Sequence, residues 1–167
     1  VIALRSASRS AQRERYDAAT ARLDPPLAIA DRELFDANAD ELTGRSAGKP
    51  LRVASKSVRC RGLLRRVLAR PGWHGIMAYS LAEALWLVRE GVSDDVLVAY
   101  PTANRTALRG LAADEAAAAA ITIMVDDPAQ LDLVDAVTPP DKRPEIRVCI
   151  DLDASWRPVR GVHIGVR

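Results

Sequence analysis

The chain has 167 residues, 49% of them apolar and 28% charged, with a formal net charge of +2. This is the composition of one soluble globular core, and so small a charge gives no electrostatic reason to expect a nucleic-acid partner. Aromatic residues make up only 4%, so the core must be built from Ala, Val, Leu and Ile.

Residues 1–26 read as a leader. Ser10 offers an N-cap for a short helix over Ala11 to Leu23, with Tyr16, Ala19 and Leu23 along one side. Its arginines are offset by Glu14, Asp17 and Asp24, which suits a solvated or docked helix, and Asp24-Pro25-Pro26 stops it. From Leu27 onward a rhythm sets in. Short β-like runs begin at Leu27, Leu51, Gly75, Val96, Ile121 and Ile146, at intervals of 21 to 25 residues, and a helix-like segment fills each gap. Consecutive parallel strands joined by crossover helices produce that spacing.

The helices carry their own punctuation. Ser80-Leu81-Ala82-Glu83 is a capping box, followed by an apolar stripe of Leu81, Ala84, Leu85 and Val88 that ends at Gly91. Asp127-Pro128 supplies an N-cap and a first-turn proline. After residue 56, Leu63, Leu64, Val67 and Leu68 form the buried side of a helix whose other side holds Arg59, Arg61, Arg65, Arg66 and Arg70. No aromatic residue is interleaved with those arginines, so the basic face reads as solvated.

No phosphate loop or dinucleotide fingerprint follows any strand, and regular βα spacing without one suits a (β/α) barrel. In such a barrel the chemistry sits where strands end, here at Lys56 and Ser57, Tyr79 and Ser80, Tyr100 to Thr102, Asp126 and Asp127, and Asp151 and Asp153. Capping accounts for Ser80 and Asp127. Lys56 has no such structural role. The chain holds three lysines, and while Lys49 and Lys142 lie in loops beside prolines, Lys56 ends the strand that starts at Leu51. A lysine amine can lose its proton and attack a carbonyl, which an arginine cannot do.

Arg52-Val53-Ala54-Ser55-Lys56-Ser57-Val58-Arg59 resembles the cofactor-lysine segment of the D-threonine aldolase and D-serine dehydratase family, which has the alanine-racemase type of fold. Asp95-Val96-Leu97-Val98-Ala99-Tyr100-Pro101 is similar to that family's aliphatic strand and Ala-Tyr-Pro turn, the more specific match of the two. Asp31 through Asn38 resembles its N-terminal helix motif, and Ile150-Asp151-Leu152-Asp153 its acidic strand. Within the family, the resemblance is greatest to bacterial amino-acid deaminase/aldolase proteins. It implies that residues 27–167 are the N-terminal portion of a (β/α)8 TIM barrel, with about five of its eight strands, the Leu27 run lying outside it. An open partial barrel leaves sheet edges and an apolar face exposed.

The same resemblance implies a lyase that uses pyridoxal 5'-phosphate (PLP) to cleave, or to dehydrate and deaminate, a β-hydroxy D-amino acid. Lys56 would form the Schiff base, and Tyr79, Tyr100, Asp153 and His163 would line the cofactor. Any divalent metal would be bound by parts of the family architecture that these residues do not include. A homodimer is the implied assembly. The chain departs from the family pattern at Ala54 and Val58, where the aldolases often have histidines, and at Ala154. His163-Ile164-Gly165-Val166 stands where the family has an arginine-glycine pattern. A non-catalytic PLP-binding homeostasis protein and an amino-acid racemase share this barrel and are the competing readings. An arginine-rich interaction protein on a plain α/β sheet is a more distant one.

The two cysteines, Cys60 and Cys149, have neither metal nor redox spacing, as expected of an intracellular protein with reduced thiols. The longest apolar run, Ala116 to Val125, is too short to span a bilayer, and Val1-Ile2-Ala3-Leu4 breaks into arginines and serines. The expected location is the cytoplasm, with no membrane partner.

Overall fold

A computed structural model describes residues 9–165, which divide into two compact units between Gly48 and Lys49. The first unit holds α1 (Arg9–Thr20) and α2 (Arg32–Arg45). Ser10 lies inside α1 instead of capping it, and the helix ends before Leu23. Asp31 caps α2 by accepting from the backbone N–H groups of Glu33 and Leu34. It also accepts from the Tyr16 hydroxyl at 2.8 Å and pairs with Arg15. The Tyr16 hydroxyl, then the Leu34 N–H, hold its carboxyl below the ordinary aspartate value. The Leu27–Ala30 run between these helices forms no strand and every residue of it is exposed. Four small or aliphatic residues with no neighbouring strand have nothing to bury against.

The second unit is a five-stranded sheet: β1 (Leu51–Ala54), β2 (Trp73–Ala78), β3 (Val96–Val98), β4 (Ile121–Val125) and β5 (Arg147–Ile150). The strands lie side by side in sequence order and every pairing is parallel. Five helices alternate with them: α3 (Arg61–Leu68), α4 (Leu81–Arg89), α5 (Arg105–Ala112), α6 (Glu115–Ala120) and α7 (Pro128–Val137). The gap between β3 and β4 takes two helices. The apolar run from Ala116 to Val125 is split at Ala120, where α6 gives way to β4 without a loop.

The core lies between the sheet and the helices on one of its faces. Val53, Ile76, Ala78, Val96, Val98, Ile121, Ile123 and Val125 point into it from the strands, as period-two alternation requires. Leu64, Val67, Leu81, Leu87, Leu108 and Leu111 meet them from the helices. Each fully buried aliphatic side chain contributes about 1.5–3 kcal/mol relative to exposure. The opposite face is more polar and more open, with Arg52, Met77 and Arg147 on it. Strand β5, which pairs only with β4, is mostly exposed and leaves Ile150 75% accessible.

Punctuation read from the sequence recurs in the structure. The Ser80 hydroxyl accepts from the Glu83 N–H at 3.3 Å, while the Glu83 carboxylate accepts from the N–H of Tyr79 at 3.0 Å. Asp127 accepts from the Ala129 N–H at 2.8 Å, with Pro128 opening α7. No helix among the described residues is long and apolar enough to cross a membrane.

Candidate active site

The C-terminal ends of β1, β2 and β3 bring three of the expected site residues together. Beyond Ala54 the chain makes a tight turn, with the N–H groups of Ser57 and Val58 both donating to the Ala54 carbonyl, at 3.0 and 3.2 Å. Ser55, buried in that turn, donates its N–H to the Met77 carbonyl at 3.0 Å and extends the β1–β2 ladder by one residue. Lys56 is thereby left at the exposed apex. Tyr79 follows β2 and is fixed by the Glu83 carboxylate on its backbone. Tyr100 follows β3, just after the Ala99 N–H donates to the Ala78 carbonyl at 3.0 Å.

These three side chains form one cluster. Lys56 Nζ donates to the Tyr100 hydroxyl at 3.3 Å. It lies 5.6 Å from the Tyr100 ring centroid and 5.9 Å from that of Tyr79, and the rings meet edge to face at 5.5 Å and 72°. Aromatic faces at this range attract a cation by about 0.5–1 kcal/mol in an exposed setting. Both tyrosines are about half accessible, so the cluster is open to a ligand.

Asp153 and His163 are not part of this cluster. Among the described residues, no hydrogen bond, ion pair or ring contact joins either of them to Lys56. Asp153 accepts from the Ser155 N–H at 3.0 Å and pairs with Arg157. Ser155 beside it holds the Asp153 carboxyl below its ordinary value, with His163 adding a smaller electrostatic contribution. Other residues at the strand ends serve locally. Thr102 accepts from the Asn104 N–H at 3.2 Å, and Asp126 pairs with Gln130 at the start of α7. No group of three His, Cys, Asp or Glu residues among those described is placed to hold a metal.

A second constellation, at the other end of the strands, was not read from the sequence as functional. Arg52 Nη2 lies 2.8 Å from Asp95 Oδ2, so the first residue of one family-like segment is paired with the first residue of the other. Both side chains reach across β2, directly over Gly75.

No family model and no curated protein matches this sequence. Among solved structures, D-threonine aldolase from Filomicrobium marinum matches with a TM-score of 0.66 at 25% sequence identity, over 78% of this chain. The chain is similar to D-threonine aldolase. It spans 35% of that aldolase's length, as a partial barrel would. The resemblance read from the two segments around Lys56 and Tyr100 is borne out at the level of the fold.

Proposed function

We propose that this chain carries the reactive lysine of a PLP-dependent lyase that acts on a β-hydroxy D-amino acid, by aldol cleavage or by dehydration and deamination. The observation that supports this most is Lys56, exposed at the end of β1, with its amine 3.3 Å from a phenol and within 6 Å of two tyrosine rings. The similarity to D-threonine aldolase supports a D-amino acid as the substrate class. When bound, PLP supplies an aldehyde to a lysine amine and a conjugated ring that accepts the electrons released as a bond at the substrate Cα breaks.

The residues present fit such a group. A primary amine serves for covalent attachment, and two exposed aromatic rings beside it offer faces and edges for a flat heterocycle. Lys56 would hold the cofactor, with Tyr79 and Tyr100 flanking it. When not attached to the cofactor, the Lys56 amine would take a proton from the substrate in its neutral form and return it as the ammonium. The Tyr100 hydroxyl, within hydrogen-bond reach of Nζ, orients that amine through the exchange, donating to it when neutral and accepting from it when charged.

Borohydride reduction of the whole encoded protein with PLP tests the proposal. The cofactor mass should be found on the peptide spanning Val53 to Arg59. A label confined to Lys49 or Lys142, or no label at all, overturns it.

A further inference from the structure

Strand β1 is short and leads into the turn that bears Lys56, yet its ladder with β2 is interrupted. Leu51 pairs with Trp73 and Val53 with Ile76, so β2 spends one residue more than β1 over the same interval. The extra residue resets the alternation, which lets Trp73 and Ile76 both point into the core. Gly75 lies in this bulge at φ +73°, a left-handed conformation that favours glycine. A Cβ there would collide with the Asp95 carbonyl oxygen, and would lie 2.5 Å from Arg52 Nη1 and 2.8 Å from Asp95 Oδ2. The glycine is therefore the gap through which Arg52 passes over β2 to reach the start of β3.

Asp95 is held from several sides. Its carbonyl accepts from the Ile76 N–H at 2.9 Å, from Ser93 Oγ at 3.0 Å and from Arg52 Nη1 at 3.4 Å. Its carboxylate faces Arg52 at 2.8 Å and, more distantly, Arg147 of β5 at 4.0 Å. Arg147 is itself fixed on Thr122 Oγ1 at 3.1 Å. Residues at β1, β3 and β5 thus form one layer, as alternate strands do inside a (β/α) barrel. An ion pair left more than a third accessible contributes little to stability, on the order of 1 kcal/mol or less, so its consequence is geometric.

We propose that Arg52 and Asp95 are positioning residues for Lys56: a strut over Gly75 that ties β1 directly to β3, and so sets Lys56 against Tyr100 at the opposite end of the same two strands. The bulge interrupts the backbone pairing of β1 with β2, and the strut gives β1 a second anchor, on β3. The chemical interest of this arrangement rests on Lys56 being the reactive amine, whereas the geometric claim does not.

Reductive 13C-methylation of the lysines in the whole encoded protein, without cofactor, reads the geometry directly. The methylated amine keeps its charge, and its resonance reports the ring currents of Tyr79 and Tyr100. Lys56→Arg assigns the signal. In the unsubstituted protein the Lys56 resonance should be displaced from those of Lys49 and Lys142. Arg52→Met and Asp95→Asn should each collapse most of that displacement, the double variant should add little to either, and Arg52→Lys should restore part of it. A Lys56 resonance that stays put in both single variants, even with a lowered Tm, reduces the pair to a structural role and overturns the proposal. If Arg52→Met does not fold, Asp95→Asn and Arg52→Lys decide by the same signal. The borohydride experiment is separate. A label on Lys56 with an unmoved resonance removes the strut alone, and a moved resonance without a label removes the cofactor alone.

Discussion

The two ends of β1 are built by opposite means. At its C-terminal end, Lys56 meets Tyr79 and Tyr100 through long, exposed contacts, the nearest at 3.3 Å. At its N-terminal end, Arg52 meets Asp95 at 2.8 Å through a fork, over a glycine that leaves no spare volume. The tight end fixes where the strand lies and the loose end is left free to exchange partners. Under the proposed function, that division keeps the group that reacts apart from the groups that hold the strand in place.

The largest expected effect separates the two ends most sharply. Lys56→Ala should remove nearly all turnover and the covalent cofactor, while changing stability within about 0.5 kcal/mol, as an exposed substitution does. Lys56→Arg should fail as completely, since a guanidinium stays protonated. Retained turnover in Lys56→Arg, measured with a β-hydroxy D-amino acid, would break the comparison at its reactive end. Gly75→Ala should act in the opposite sense. The left-handed backbone costs about 1–2 kcal/mol with a Cβ, and overpacking against the Asp95 carbonyl about 1–3 kcal/mol. Denaturant unfolding should show a loss of several kcal/mol, and a loss under 1 kcal/mol would mean that the bulge has room to yield. The smallest effect tests a residue at the reactive end that serves structure. Ser80→Ala should cost about 1 kcal/mol through the lost cap of α4 and leave borohydride labelling of Lys56 unchanged. Loss of labelling would move Ser80 into the site.

Most of the barrel portion was legible because its signals are local. Alternating aliphatic runs spaced by one helix each, with Ser80 and Asp127 as caps, settle element order without knowledge of contacts. Lys56, Tyr79 and Tyr100 could be placed together because parallel strands in sequence order put successive C-terminal ends side by side. The Leu27 run misled because an apolar run is a strand only if it finds a neighbour, and this one has none. The Arg52–Asp95 strut was hidden for a related reason. It depends on the one-residue bulge between Trp73 and Ile76, a matter of register that alternation alone does not reveal. Its one local signal was a glycine inside a strand-like run, which marks bulges and close backbone approach. Asp153 and His163 follow β5, where no periodicity constrains their neighbours; strand spacing pointed to Asp153, and only the family resemblance pointed to His163.

Strand order has a consequence for how the chain acquires its structure. Each strand pairs with the one made just before it, so no segment has to wait for a distant partner, and loop-closure costs stay small and nearly equal from step to step. A chain of this kind can be assembled one βα unit at a time as it leaves the ribosome, each new unit docking on a template already in place. The contact between Lys56 and Tyr100 spans 44 residues and lies wholly within the first three strands. It needs no residue of β4 or β5, so this contact can close once β3 has docked on β2.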